Sequence, residues 1–220
     1  MVSTYLANLP VTGREETWRD IGVSVPNNVV EKYVYAGIEP KSSNQIIFTG
    51  DFDYGWENNF FVEALSACFE IKLRELLRED LGGTYNVSVR SSVEQFPKGQ
   101  YRISISFSCD PARESELTEI VFHQIELLRQ NGIEQVYIEK VKEIRRRSHE
   151  LTLRENGFWL NILQDMQQSS ISPNQILNYN YLISRLNSEE VLKAANQYFN
   201  RDQYARFVLF PIDYYHELEE

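Results

Sequence analysis

The stretch LREDLGGTYNVSV, residues 77–89, marks the place where a helical pattern of apolar residues gives way to a strand pattern. Before it, apolar residues recur along one helix face over residues 57–78, which predicts an amphipathic helix. Gly82 and Gly83 are expected to end that helix, because glycine readily adopts the left-handed conformation found at helix ends. Beyond the glycines a strand is predicted, in which three residues alternate with polar ones: Tyr85, Val87 and Val89.

A hairpin follows this strand in the predicted order of elements. The turn sequence FPKG, residues 96–99, leads into a second alternating run over residues 101–109, so each strand has one apolar face. A sheet built from such strands is covered on one side only. Runs of β-branched and aromatic residues predict further strands near residues 21–25, 30–36, 44–50 and 206–211.

The rest of the chain is predicted to be mostly helical. Asp110-Pro111 is a strong start signal, since a carboxylate caps the first turn and proline suits the first helical position. That helix is expected to run to Gly132, and a long helix after it to be broken by Asn156-Gly157. Shorter helices are predicted over residues 157–169, 174–185 and 188–199.

This order of elements predicts an α+β fold, a largely antiparallel sheet with helices packed on one face. Residues 1–20 contain Pro10, Gly13 and mixed charges, and they are interpreted as a linker or as the seam from a preceding domain. Residues 21–220 are expected to form a single domain, because the last strand has to return to a sheet begun near the start.

Composition excludes several classes of partner. The formal net charge of −10 makes nucleic acid and anionic membrane surfaces poor partners, because like charges repel. Five basic residues lie in the segment 140–150, but glutamates are interleaved with them at helical spacing. Glu143 and Arg147 stand at i, i+4, so this segment is interpreted as a solvated helix face with weak ion pairs.

The sequence also bears on membranes and disulfides. No apolar run approaches the roughly 18 residues needed to cross a bilayer, and the first residues lack the basic and apolar regions of a signal peptide. Cys68 and Cys109 each fall on an apolar phase of their elements, as small buried residues do. Whether the two pair in a disulfide is left open.

No self-contained active site is recognisable from motifs. The three histidines, His123, His149 and His216, are not spaced to share a helix face, and neither H-E-x-x-H nor H-x-x-E-H occurs. His149-Glu150 lacks further ligands nearby in sequence, so no metal site is predicted within the chain. A G-x-S-x-G elbow and the glycine-rich phosphate-binding motifs are absent as well.

The opening stretch resembles a signature of insulinase/pitrilysin-type zinc peptidases. In the C-terminal half of that family a helix ends in R-E-x-x-x-G, and a tyrosine follows the arginine by seven positions. Four residues here match those positions: Arg78, Glu79, Gly82 and Tyr85. The segments STYLANLP, residues 3–10, and GFWLNILQD, residues 157–165, are also similar to the family, so the resemblance covers nearly the whole chain. Its nearest form is the large, processing-peptidase-like bacterial zinc protease with four such domains.

The resemblance implies a domain that works with another part of a larger peptidase. The chain would be the last, clamshell-type domain, and the H-x-x-E-H motif and the zinc would belong to the N-terminal half. This fragment alone is therefore expected to be inactive and to hold no cofactor. The implied partners are that N-terminal half and a peptide or unfolded polypeptide substrate. Exported relatives imply the periplasm or cell envelope, and the cytoplasm is left open.

Arg78 and Tyr85 are the residues that the resemblance assigns to catalysis and substrate binding. Zinc in the other half would polarise the scissile carbonyl and activate water. A tyrosine hydroxyl aimed at the carbonyl oxygen would stabilise the charge that develops there, and an arginine fork would hold peptide carbonyls or a carboxylate. Without the family, both residues have ordinary roles, since arginine suits a helix C-terminus and tyrosine suits a strand. The other hypothesis is a non-catalytic peptide-binding or scaffolding domain of a degenerate relative. Substrate identity and oligomeric state are not readable from the sequence.

Overall fold

The computed structural model describes residues 1–5, 7–10, 12–14, 17, 19, 21–22 and 25–217. Its centre is a five-stranded sheet made of β1 (Val30–Tyr35), β2 (Ser42–Asp51), β3 (Thr84–Glu94), β4 (Gln100–Cys109) and β5 (Tyr204–Phe210). The spatial order is β1-β5-β2-β4-β3. The pair β1–β5 is parallel, and the pairs β5–β2, β2–β4 and β4–β3 are antiparallel.

The helices mostly follow the predicted order. They are α1 (Val2–Tyr5), α2 (Trp56–Arg74), α3 (Glu114–Asn131), α4 (Gln135–Thr152), α5 (Asn156–Gln168), α6 (Tyr179–Arg185), α7 (Ser188–Tyr198) and α8 (Ile212–Glu217). A π-helix, Glu75–Asp80, continues α2, and short 3-10 helices cover Pro111–Arg113 and Pro173–Asn178. The predicted α+β class with a largely antiparallel sheet is therefore confirmed.

The core lies between one face of the sheet and the helices. On β4 the alternate residues Tyr101, Ile103, Ile105, Phe107 and Cys109 are buried, while the residues between them are more exposed. The same face of β2 contributes Ile46 and Phe48, and α2 packs its apolar stripe against it. Cys68 and Cys109 are both buried and free, and burial raises the pKa of the Cys68 thiol to about 12.

The helix starts and pairs predicted from local chemistry are confirmed. Asp110 Oδ1 accepts a hydrogen bond from the backbone N–H of Ala112 at 2.9 Å, directly before α3. Asn187 Oδ1 caps α7 in the same way through the N–H of Glu190 at 2.9 Å. Glu143 and Arg147 form the expected ion pair at 2.5 Å on the exposed face of α4.

One boundary prediction is wrong, and a second falls partly outside the described residues. Asn156-Gly157 does not break the long helix, because α4 has already ended at Thr152 and Asn156 begins α5. The break lies at Glu155, whose backbone is extended (φ −97°, ψ 123°), and Trp159 Nε1 caps the end of α4 by donating to the Leu153 carbonyl at 2.9 Å. Of the strand predicted near 21–25, residues 23 and 24 lie outside the described residues, and the others are not in a strand.

Candidate functional site

The turn between Arg78 and Tyr85 has a defined hydrogen-bond pattern. The N–H of Leu81 donates to the Leu76 carbonyl at 3.1 Å, which is the five-residue spacing of the π-helix. The N–H of Gly83 then donates to the Leu77 carbonyl at 2.9 Å. Gly82 has φ +56°, so it occupies the left-handed region that the sequence predicted for this helix end.

The residue directly before α3 supports this turn. Arg113 Nη1 donates to the Leu81 carbonyl at 3.3 Å, and its Nε and Nη2 donate to the Glu116 carboxylate at 3.1 and 3.0 Å. A side chain on Gly83 would bring its Cβ to 2.9 Å from Leu117 Cδ2 and 3.1 Å from Arg113 Nη1, so these side chains would have to shift to accept it. Sequence reasoning did not find Arg113, because no local pattern shows that its guanidinium reaches a turn thirty-two residues earlier.

Arg78 lies within the π-helix and its side chain is exposed. Among the residues that the structure describes, none forms a hydrogen bond or ion pair with the Arg78 guanidinium. A π-helical segment of this kind frequently occurs at functional sites. Within α2, Glu70 forms an ion pair with Arg74 and also accepts a hydrogen bond from the N–H of Val89 at 3.0 Å, which joins α2 to the edge strand β3.

Tyr85 is the extra residue of a β-bulge. Thr84 pairs with Cys109 and Asn86 pairs with Ser108, so two steps on β3 match one step on β4. The bulge turns the Tyr85 side chain toward solvent, where it is 66% exposed. The predicted alternation that grouped Tyr85 with the buried Val87 and Val89 is therefore wrong at Tyr85.

Tyr85 lines an open cavity of about 510 Å³ on the solvent-facing side of the sheet. The other lining residues come from the loop before β2 and from the adjoining strands: Glu39, Pro40, Lys41, Asn86 and Ser108. Glu39 and Lys41 form an ion pair, and the hydrogen bond from Lys41 lowers the pKa of Glu39. Arg78 is not among the residues that line this cavity, so the structure exposes both predicted residues without placing them in one cavity.

The described residues do not provide a zinc site. They contain no group of three or more His, Cys, Asp or Glu side chains arranged to hold a metal ion. His123 is exposed on α3, whereas the ring of His149 stacks on Tyr179 with centroids 4.3 Å apart. Burial there lowers the pKa of His149, because it disfavours the charged imidazolium. The side chain of His216 lies outside the described part of the chain.

Within the described residues, no helix is long and apolar enough to cross a bilayer.

A comparison with known families identifies a match over most of the chain. Residues 1–145, out of 220, match the model of a family described as the peptidase M16 inactive domain. No curated protein matches the sequence.

Many solved structures share this fold. The ferredoxin protease FusC, determined as a mutant in complex with Arabidopsis ferredoxin, is 19% identical with a TM-score of 0.78, over 96% of this chain and 23% of that chain. The periplasmic protease PqqL from Escherichia coli is 21% identical with a TM-score of 0.73, over 84% of this chain and 21% of that chain. A peptidase M16 inactive domain from Pseudomonas fluorescens is 16% identical with a TM-score of 0.67, over 86% of this chain and 45% of that chain.

These structures are similar to the chain in fold, and the chain spans only part of each. It covers about a fifth to a quarter of the two proteases and less than half of the third protein. A full-length relative therefore contains much more polypeptide than the present chain.

Proposed function

Because the chain belongs to the peptidase M16 inactive-domain family, we propose that it is the non-zinc-binding, C-terminal domain of a larger zinc metalloendopeptidase. In that role it closes the proteolytic chamber opposite the zinc-binding N-terminal half of the same polypeptide. The zinc belongs to that other half, and the present chain contributes side chains that hold the substrate. The substrate class is a peptide or an unfolded polypeptide.

The observation that carries this proposal is the bulge at Tyr85. A strand in regular register would bury this ring beside Val87, whereas the bulge exposes its hydroxyl at an open cavity. A phenolic O–H in this position can donate to a peptide carbonyl oxygen, and such a donor stabilises the negative charge that develops on the oxygen during hydrolysis. Tyr85 is therefore assigned to oxyanion stabilisation.

Arg78 is assigned to substrate positioning. Its side chain is exposed in the π-helix that continues α2, and the described residues leave its five N–H donors without a protein partner. A guanidinium can bind peptide carbonyls or a carboxylate through two parallel hydrogen bonds. The turn held by Arg113 and Gly83 fixes the backbone between Arg78 and Tyr85, which suits two groups that act on one substrate.

The test is hydrolysis of a fluorogenic peptide by this chain mixed with the zinc-binding half. Tyr85→Phe removes one hydroxyl and should lower kcat about a hundred- to a thousandfold. Tyr181→Phe is the matched control, because Tyr181 is similarly exposed on α6 and is expected to leave the rate unchanged. Equal rates for wild type and Tyr85→Phe would remove Tyr85 from the mechanism.

The other candidate is a non-catalytic peptide-binding or scaffolding domain. One observation favours this second candidate, because the matched family is described as an inactive domain. The two differ in the other half of the polypeptide. If that half binds no zinc and the mixture binds peptide without cleaving it, the scaffolding function is correct.

A periplasmic or cell-envelope location is also proposed. It rests on the periplasmic protease PqqL among the structural neighbours, and fractionation of cells that express the complete polypeptide would test it.

A further inference from the structure

The solvent-facing side of the sheet carries rows of side chains that run across the strands. The register aligns one residue from each strand, from β3 to β1, in a single row: Asn86, Ser108, Ser43, Leu209 and Val34. The neighbouring row contains Ser88, Ser106, Gln45, Phe207 and Lys32. Tyr85 adjoins the first row at its β3 end, because the bulge turns it to the same side.

The first row changes from polar to apolar across the sheet, whereas the second becomes apolar at Phe207 on β5 and ends at the charged Lys32 on β1. On β3, β4 and β2 the residues in both rows are serine, asparagine or glutamine. On β5 and β1, Phe207, Leu209 and Val34 form an apolar patch and are 38%, 41% and 52% exposed. The open face of an antiparallel sheet is ordinarily polar, so three adjoining exposed apolar side chains depart from the usual pattern at this place.

The apolar patch and the Tyr85 cavity belong to one groove. A cavity of about 410 Å³ is lined by the three patch residues and also by Asn86 and Ser108. Asn86 and Ser108 also line the cavity that contains Tyr85. A molecule bound at Tyr85 can therefore extend along the row to the patch without leaving the surface.

We propose that the apolar patch binds an apolar side chain of the polypeptide substrate whose backbone is held at Tyr85. This inference rests on the proposed function and adds a specificity site to it. The patch on β5 lies three strand spacings from β3, which is about 14 Å. An extended peptide rises about 3.3 Å per residue, so the bound side chain lies about four residues from the carbonyl at Tyr85.

The chemistry of the groove suits a polypeptide. Its serine, asparagine and glutamine side chains both donate and accept hydrogen bonds, as the alternating N–H and C=O groups of an extended backbone require. The residues that line the 410 Å³ cavity include no charged side chain. The patch should therefore select leucine, isoleucine, valine or phenylalanine over charged residues.

NMR titration of the 220-residue chain tests the patch directly. The probes are a nine-residue serine/glycine peptide with a central leucine and the matched peptide with a central serine. We expect the leucine peptide to shift the backbone amide signals of Val34, Phe207 and Leu209, and to bind about tenfold more tightly. Leu209→Ser should remove this preference, and so should Val34→Ser. Leu160→Ser, a change of an exposed leucine on α5, should not.

Several outcomes would overturn the inference. Equal affinity for the two peptides would do so, as would a leucine preference that survives both patch substitutions. A concentration-dependent dimer abolished by Leu209→Ser, without any peptide preference, would make the patch a contact between copies of the chain instead.

Cleavage by the complete peptidase separates the inference from the proposed function. Mass spectrometry of products from a peptide library should show an apolar residue enriched about four positions from the scissile bond, and Leu209→Ser should abolish that enrichment. Zinc-dependent cleavage without the enrichment would refute the patch and leave the proposed function intact. A leucine preference in the NMR titration without any cleavage would refute the catalytic role alone.

Discussion

Arg113 Nη1 lies 3.3 Å from the carbonyl oxygen of Leu81 and donates a hydrogen bond to it, so the residue directly before α3 holds the turn between Arg78 and Tyr85. The two contacts from the same guanidinium to Glu116 fix its orientation. The positions of the two proposed substrate-binding residues therefore depend on a third residue, which contacts the turn between them.

Arg113→Ala should loosen this turn. The lost hydrogen bond should lower the free energy of unfolding only slightly, because the freed carbonyl can bind water. Peptide hydrolysis by the assembled enzyme should fall about tenfold, because a small misplacement of the groups that position the substrate strongly lowers the catalytic rate. Urea denaturation and the fluorogenic assay measure the two effects. Arg147→Ala, on the exposed face of α4, should change neither, and a similar loss in that control would contradict the specific role.

Two glycines should respond in opposite ways to alanine. Gly83→Ala places a Cβ 2.9 Å from Leu117 Cδ2, a fully buried side chain, and should destabilise the fold by about 1–3 kcal/mol. Gly157→Ala meets nothing within 4 Å in the first turn of α5, and should be neutral or stabilise by up to about 1 kcal/mol. Thermal denaturation gives both signs. A Gly83→Ala protein as stable as wild type would show that the turn is not tightly packed.

Patterns with a local cause were predictable from the sequence. The strand periods over residues 101–109, the Asp110 cap and the helix end at Gly82 depend on residues near one another in the chain, and the structure bears them out. The resemblance drawn from Arg78, Glu79, Gly82 and Tyr85 is confirmed by the family match. The catalytic roles of Arg78 and Tyr85 stay predictions.

Features that depend on distant pairing were not predictable. The bulge at Tyr85 arises from its register with β4, so alternation along β3 alone assigned Tyr85 to the buried face. The π-helix at Glu75–Asp80 looks like ordinary helix in sequence, since its apolar residues keep helical spacing. The apolar patch consists of residues from β1 and β5, which are adjacent in the sheet and far apart in the chain.

Glu114→Gln should strongly destabilise the domain. The Glu114 carboxylate accepts hydrogen bonds from Arg206 Nη2 at 2.6 Å and from Thr118 Oγ1 at 2.8 Å, and both charged side chains are buried. The neutral amide removes the closer and more buried of the two carboxylate partners of Arg206 and leaves only the longer contact with Glu31 at 3.6 Å. Breaking a buried pair in this way costs up to about 3–5 kcal/mol. Denaturant unfolding measures the loss. Glu143→Gln, which breaks an exposed pair, should cost no more than about 0.5 kcal/mol. Equal losses for the two variants would contradict the assigned difference in burial.

His149 should make the stability of the fold depend on pH in a narrow range. Its ring stacks on Tyr179 at 4.3 Å, and burial lowers its pKa below the ordinary value of 6.5. His149 therefore binds a proton more readily in the unfolded chain than in the folded chain. The free energy of unfolding rises with pH between the folded-state pKa of His149 and its unfolded-state pKa. The contribution of His149 is fully present above about pH 6.5 and is lost as pH falls through the lower, folded pKa.

Urea denaturation from about pH 5 to about pH 8 would measure this contribution. His149→Gln should flatten the curve below about pH 6.5, whereas His123→Gln, at an exposed position on α3, should keep the wild-type slope. A His149→Gln protein with the wild-type slope would assign the titration to another group, because the wild-type slope arises from the difference in bound protons between the two states.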